Sequence, residues 1–451
     1  MYNPKFDYHS LTREQVDGKR MSTHTINWIK SNPGFCVAPL SHNDFRFDYN
    51  YQQNTSGFKV TACCNLDVTK SSELDFDFID NLKKDQLQNK VHAACWKCTN
   101  DEHNLVPSER VKLMLNYSVK ELEQFKYQQK TNEFTVATKF SNLCNLACRS
   151  CNSSDSSLWA KLMESPPPGG YEIDISDNES HWCSLIDMIR AKHSTGINLN
   201  IQLVGGETLI QPGFVKLLNW LIEENIASTS TLRITTSLAV SISEKFSDKL
   251  VQFKHVLIIA SIDSIDANYH YVRWPAKFNK IANNLQEFDL LSKQYPGKFS
   301  LCVSPVFSLN NIFYAVDYLN WWEKWATETD TDLWLSTIHL YQPEHLVIEN
   351  IPQTYHARLL EVLHACADHS IFKKYQRTTV IQYYFQSMIE SICNNNNNNE
   401  ANFNKYLRFT ADYDNRTNTD SYTLNSKLFD LLTAAHKQIY NTHLTYVQSK
   451  V

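Results

Sequence analysis

Three cysteines fall within eight residues, at Cys144, Cys148 and Cys151, in the run Asn142-Leu143-Cys144-Asn145-Leu146-Ala147-Cys148-Arg149-Ser150-Cys151. Three thiolates this close on one short loop can grip three irons of a cubane [4Fe–4S] cluster. The fourth iron then stays open to a small chelating molecule. Structural metal sites normally close all four positions, whereas an open position is a reactive one. A zinc loop completed by a distant His or Cys would use the same spacing.

The loop has a definite place in a repeating pattern. Phe134 to Phe140 alternates as a strand and runs straight into it. Asn198 to Val204, Thr231 to Thr236, His255 to Ile262, Phe299 to Phe307 and Asp332 to His339 are further short apolar or β-branched runs. Helical spacing fills the gaps, as in Phe214-Leu217-Leu218-Leu221-Ile222 and Phe278-Ile281-Leu285-Phe288-Leu291. Strands alternating with helices predict an α/β fold with a parallel sheet and covering helices, and six such units suit a partial (β/α)6 barrel. Chemistry in such folds gathers at the carboxyl ends of the strands, where the cysteine loop sits.

At 451 residues the chain is long enough for two or three domains. A hydrophobic fraction of 42% and a charged fraction of 20% are those of an ordinary globular protein. The net charge of −5 gives no electrostatic reason to expect nucleic acid. Neither a secretory signal nor an apolar run long enough for a membrane span is read, so no membrane partner is expected. Twelve cysteines then point to metal ligands in a reducing compartment, which predicts a cytoplasmic location. The tract Asn394 to Asn399 reads as a surface loop without functional weight. Cys183, Cys302, Cys366 and Cys393 stand alone and read as small hydrophobes, and Trp321, Trp322 and Trp325 as core or interface.

Gly205-Gly206-Glu207 follows the second predicted strand in a chain with only ten glycines. Glycine permits close backbone approach to a ligand, and a carboxylate can accept from an ammonium group. With Ser261-Ile262-Asp263 after the fourth strand, the three motifs occur in barrel order. Over roughly residues 130 to 340 the chain resembles the radical S-adenosylmethionine (SAM) superfamily. The resemblance implies that Cys144, Cys148 and Cys151 hold a [4Fe–4S] cluster whose open iron takes the amino and carboxylate groups of SAM. It implies that Gly205, Gly206 and Glu207 bind the methionine amino end and that Thr236 and Ser237 lie near the ribose. Ser261 and Asp263 match the family's fourth-strand Ser-x-Asp, and Arg273 matches a basic residue near the SAM carboxylate. Ser150 stands where the family commonly has an aromatic, and Thr208 where it commonly has proline.

Five further cysteines precede the barrel. Cys36, one of the adjacent pair Cys63 and Cys64 (Cys63 is taken), and the pair Cys95 and Cys98 supply four thiolates, enough to saturate a cluster or a tetrahedral zinc. With Glu102 and Ser108-Glu109-Arg110 downstream, this pattern resembles the auxiliary-cluster module called twitch, a shorter relative of SPASM, although that module often follows the barrel. The expected division is residues 1–130 for this module, 131–345 for the barrel and 346–451 for a mainly helical extension.

Family chemistry then implies reductive cleavage of SAM to a 5′-deoxyadenosyl radical that abstracts hydrogen from a substrate, an oxidoreductase-type reaction in which an auxiliary [4Fe–4S] cluster aids electron transfer. A peptide or protein side chain is the expected substrate, with a small molecule such as a sugar or cyclitol as the alternative. A non-catalytic zinc or Fe–S protein is the rival from another class. A flavodoxin or ferredoxin is the expected reductant. No side-chain base is assigned.

Overall fold

The computed structural model describes residues 15–16, 19–20, 23–50, 55–63, 66, 76–103, 108–115, 117–128, 132–167, 169–375, 378–394 and 399–449. Strands β1 (Gln15–Val16) and β2 (Lys19–Arg20) form a small antiparallel ladder. The main sheet contains β3 (His42–Asn50), β4 (Thr55–Thr61), β5 (Glu133–Lys139), β6 (Asn198–Leu203), β7 (Thr231–Thr236), β8 (His255–Ala260), β9 (Phe299–Val303) and β10 (Asp332–Leu335). Its order is β10-β9-β8-β7-β6-β5-β3-β4. From β5 to β10 each strand lies parallel beside its predecessor, the winding of a barrel left open at its edges. This is the expected six-unit partial barrel.

Five of the six barrel strands end earlier than the apolar runs that announced them, β8, β9 and β10 by two to four residues. Ile262 and Phe307 are buried in the loops after β8 and β9, not in the ladder. Apolar character reports burial, and burial continues past the last paired residue.

The N-terminal segment contributes more to the sheet than its irregular sequence suggested. β3 pairs parallel with β5, Asp44 opposite Ala137, and β4 returns antiparallel on the outer edge. The sheet therefore crosses the division expected near residue 130. Ile79 and Leu82, on the helix Phe76–Leu87, belong to the same buried cluster as the barrel strands. A separate cluster of Ile29, Phe35, Val37, Val111, Met114, Leu122 and Phe125 holds the rest of this segment together.

Burial alternates along the middle strands of the barrel, most regularly in β7 and β8, whereas β9 is buried throughout. Leu199, Ile201 and Leu203, then Leu232 and Ile234, then Val256 and Ile258 are buried, whereas Asn198, Gln202, Thr231, Arg233, His255 and Leu257 are more exposed on the other face. A parallel sheet covered by helices on both faces reads as continuous hydrophobic runs. Alternation at period two in β7 and β8 means that one face of these strands is packed more tightly than the other. That face meets helices such as Pro212–Glu223, which buries Phe214, Leu217, Leu218 and Leu221. Each such side chain contributes about 1.5–3 kcal/mol. The concave face mixes polar side chains such as Asn200, Gln202 and Arg233 with apolar ones such as Ala137 and Leu257.

The C-terminal region is helical as expected, with long helices at His356–Ala367, Thr379–Asn394, Glu400–Thr417 and Ala434–Gln448. Phe403, Tyr406, Leu407 and Ala411 are buried in the barrel's own cluster, so this region is packed against the barrel. Among the described residues no helix is long and apolar enough to cross a membrane.

Candidate cofactor and metal site

The cysteine loop leaves the carboxyl end of β5 and is held from three sides. Asn142 fixes its start: the side chain accepts from Ile173 N at 2.9 Å and donates to Ser153 O at 3.0 Å and Tyr171 O at 3.1 Å. The helix Ser157–Leu162 supplies the second side. Its N-cap, Ser156, accepts from Trp159 N, and Ser157 Oγ accepts from Cys144 N at 3.1 Å. The third side is the segment after the helix Asp266–Val272, where Ala147 N donates to Trp274 O at 2.8 Å and Arg149 N to Val272 O at 3.0 Å. Cys148 is buried, and Cys144 and Cys151 are half-buried. Burial, reinforced by the neighbouring Cys148, pushes the Cys144 thiol up to about 12, and burial raises Cys148 and Cys151 as well. A metal bound here would displace protons from all three thiols.

The other predicted residues gather around this loop. Arg273 Nη1 lies 3.7 Å from Cys148 Sγ, and its Nε donates to Asp263 Oδ2 at 2.7 Å. Burial works against the Arg273 charge, but Asp263 and Cys148 beside it hold it well above its ordinary value. Asp263 is itself fixed: Oδ1 accepts from Val306 N at 2.9 Å, and its carbonyl accepts from Asn311. Ser261 enters through its backbone, donating to Thr236 O at 2.8 Å.

Gly205 and Gly206 both have positive φ, +89° and +31°, and both are crowded by protein. A Cβ on Gly206 would stand 2.2 Å from Leu143 O, on the cysteine loop itself, and one on Gly205 would meet Lys139 Cγ at 2.4 Å. The close approach expected of these glycines is thus made by the first strand and its loop. Glu207 N donates to Leu143 O at 2.9 Å and ties the same two loops. The Glu207 carboxylate, 1% exposed, accepts from Thr236 Oγ1 at 2.6 Å, Ser237 N at 2.9 Å, Ser237 Oγ and Leu209 N. Those four donors match the four accepting directions of a carboxylate. Thr208 opens a single turn, Thr208–Ile210, which Glu207 caps.

Arg149, to which its place between two cysteines assigned no role, is the most enclosed charge of the loop. Its guanidinium carbon lies 3.7 Å from the ring centre of Tyr271 and 4.3 Å from that of Tyr413. It donates to Tyr271 O at 2.8 Å, to Thr419 Oγ1 at 3.0 Å and to Asp414, with which it is ion-paired. Tyr413 donates to the carbonyl of Ala147. The helix Glu400–Thr417 therefore grips the cysteine loop directly.

The second thiol group also assembles. Cys36, Cys63, Cys95 and Cys98 line one small cavity together with Leu66, Leu82 and Arg110. Cys64 lies outside the described residues. All four thiols are free of disulfides. Burial, with Cys95 nearby, pushes Cys36 up to about 12, and burial raises Cys95 and Cys98. Among the described residues no three His, Cys, Asp or Glu side chains converge on the position of one metal ion. The quartet lines a space.

A buried salt bridge supports that space. Arg110 Nη2 lies 2.6 Å from Glu102 Oε2, and its Nε donates to Oε1 at 2.8 Å. Ser108, N-cap of the helix Glu109–Met114, donates to the same carboxylate, and Arg110 Nη1 donates to Phe35 O at 3.0 Å, one residue before Cys36.

The concave face of the barrel encloses a cavity of about 820 Å³. Its wall on the N-terminal side is formed by residues such as Leu113, Tyr117 and Phe125. Ala38, Cys63, Glu109 and Leu113 line both this cavity and the thiol quartet's. None of Cys144, Cys148 and Cys151 lines it, whereas Val204, the residue before Gly205, does.

No family model matches the chain, and no curated protein matches it. Among solved structures it is similar to native anSMEcpe with bound AdoMet, at 16% identity and a TM-score of 0.34, over 53% of this chain and 59% of that one. The same protein with AdoMet and the Cp18Cys peptide matches at 14% identity and a TM-score of 0.32, over 54% and 62%. The radical S-adenosylmethionine methyltransferase TsrM from Kitasatospora setae, with tryptophan substrate and the SAM analog aza-SAM bound, matches at 13% identity and a TM-score of 0.30, over 48% and 37%. The chain spans less than two thirds of each of these proteins. At such values the functional reading rests on the chain's own residues.

Proposed function

We propose that this chain is a radical SAM enzyme with a second, auxiliary iron–sulfur cluster. The observation that carries the reading is that the Arg273–Asp263 pair and the Gly205-Gly206-Glu207 turn both lie against the loop that carries the three cysteines. The donor set fits the group: three thiols on one loop supply three ligands to a cubane and leave one iron open. Cys144, Cys148 and Cys151 would hold the cluster. Arg273 would face the SAM carboxylate, Gly205 and Gly206 the amino end, and Thr236 and Ser237 the ribose, with Ser261 and Asp263 lining the fourth strand's end. Cluster and SAM together supply one-electron cleavage of SAM and a 5′-deoxyadenosyl radical that takes a hydrogen atom from substrate.

The residues of the chain do the positioning. Glu207 braces the Thr236–Ser237 turn against the cysteine loop. Asp263 orients Arg273, and Arg273 sets a positive charge beside Cys148, where added negative charge on a reduced cluster would be favoured. Cys36, Cys63, Cys95 and Cys98 would hold the auxiliary cluster, whose cavity adjoins the barrel lumen and so suits electron exchange with a substrate lodged there. A flavodoxin or ferredoxin is the proposed reductant.

A volume of about 820 Å³ is that of a site for a small molecule or for one inserted side chain. A peptide or protein side chain remains the first reading of the substrate. A small molecule such as a sugar or cyclitol is the second, favoured by the polar side chains of Asn200, Gln202 and His255 in the lumen. Anaerobic reconstitution with iron and sulfide counting tests the two-cluster reading. About eight irons per chain are expected, and about four in the triple Cys144/Cys148/Cys151→Ala chain. Zinc without iron in that variant would replace the auxiliary cluster by a structural staple.

A further inference from the structure

One row of side chains crosses the concave face of the barrel. The strand registers align Ala137 with Gln202, Gln202 with Arg233, Arg233 with Leu257, Leu257 with Ser300 and Ser300 with Asp332. All six line the cavity of about 820 Å³. Arg233 is the one arginine among its lining residues.

The guanidinium is in an awkward position. Burial works against its charge, with Glu133 and Tyr117 beside it acting in its favour. Its Nε is buried and has no hydrogen-bond partner among the described residues. Glu133 accepts from Tyr117 Oη at 2.7 Å and from Asn200 Nδ2 at 3.4 Å. Other acids of the cavity are likewise answered: Glu121 by the backbone and hydroxyl of Ser118, and Asp332 by Ser300 Oγ at 3.2 Å. A buried cation is costly, and an oxyanion placed against the face of the guanidinium that lines the cavity lowers that cost. Guanidinium is also the side chain best shaped to hold two oxygens of one anion. Gln202, paired with Arg233 across β6 and β7, adds an amide at the same height.

We propose that Arg233, with Gln202 beside it, is the receptor for an anionic group of the ligand that occupies the barrel lumen, so that the substrate carries a carboxylate or a phosphate ester. The proposal rests on the reading that the lumen is the substrate site, but the binding it describes does not depend on SAM chemistry. Asp332 stands three strands away, roughly 14 Å along the sheet. Ser300 bridges it to His255, whose Nε2 lies 2.8 Å from Ser300 Oγ.

Calorimetric titration of the cluster-loaded full chain tests this with three probes: succinate, inorganic phosphate and neutral succinamide. Saturable binding of succinate, of phosphate or of both is expected, weakened about ten- to hundred-fold in Arg233→Gln and partly kept in Arg233→Lys. Succinate alone would mark a carboxylate substrate, and phosphate alone a phosphate ester. Binding of succinamide as tight as that of succinate, no binding of either anion, or binding unchanged in Arg233→Gln overturns the proposal. The same titration on Cys148→Ala separates the two readings: anion binding retained there upholds the receptor even if the radical chemistry fails. Should Arg233→Gln not fold, phenylglyoxal labelling of the unaltered chain decides. Succinate or phosphate should protect Arg233, mapped by mass spectrometry, and absence of protection overturns the assignment.

Discussion

Arg149 and Asp414, 265 positions apart in the chain, form a fully buried ion pair one residue from the ligand candidate Cys148. Two tyrosine rings enclose the cation, and Asp414 also accepts from Thr419 Oγ1 at 2.9 Å and Tyr440 Oη at 2.7 Å. The pair makes the C-terminal helices part of the cysteine loop's support.

Replacing Arg149 with Met should leave Asp414 buried without its counter-charge. Breaking such a pair costs about 3–5 kcal/mol. Urea unfolding should show that loss, and reconstituted Arg149→Met should hold about four irons fewer. Arg149→Lys keeps the charge but not the planar stacking, and should fall between. An unchanged unfolding midpoint and full iron content in Arg149→Met would contradict this role.

Gly206→Ala should be worse than Gly205→Ala. The added carbon at 206 meets the Leu143 carbonyl, which is backbone, whereas that at 205 meets the flexible stem of Lys139. The first cannot yield without moving the cysteine loop. Iron counting should show loss at the Cys144 loop in Gly206→Ala, with the auxiliary site retained. Equal iron content in the two variants would argue against a shared packing of loop and turn.

Glu102→Gln tests the support of the thiol quartet. The change leaves Arg110 buried beside a neutral amide, at a cost of the order of 3 kcal/mol. The expected result is loss of metal from the quartet together with unchanged SAM-dependent perturbation of the first cluster's EPR signal. Retention of both clusters would show that the salt bridge is dispensable to the site.

Glu349 gives a pH-dependent signature away from the chemistry. Burial pushes its carboxyl up to about 7, with His339 Nε2 3.3 Å from Oε1. Between the ordinary carboxylate range and about 7 the folded chain keeps a proton that the unfolded chain has lost. Its contribution to stability therefore falls as pH rises through that window, by up to about 3 kcal/mol. Glu349→Gln should gain stability relative to the unaltered chain at pH 8 and lose that advantage at pH 5. A difference between the two chains that does not vary with pH would refute it.

Much of this arrangement was legible along the chain. The cysteine spacing sits next to the strand that carries it, and the six barrel strands show in their own composition. Asn198-Leu199-Asn200-Ile201-Gln202-Leu203 carried more than was taken from it. Its alternation announces a wet concave face, and with the analogous Thr231-Leu232-Arg233-Ile234 it points to Arg233. The Arg149–Asp414 pair had no local signal, because nothing near either residue specifies a partner so far away. The place of β3 was equally silent: His42 to Asn50 is followed directly by its hairpin partner β4 and not by a helix, so the strand–helix rhythm does not include it. Gly205 and Gly206 were found for the right conformational reason, but their crowding neighbour is the protein's own loop.

The most direct test of the account is anaerobic reconstitution, reduction with dithionite and addition of SAM without substrate, followed by chromatography for 5′-deoxyadenosine. The account predicts that it forms, or at least that SAM perturbs the reduced cluster's EPR signal, and that both effects vanish in Cys148→Ala. A chain that takes up iron and sulfide yet shows neither product nor perturbation would contradict it and leave a metal-binding protein without this chemistry.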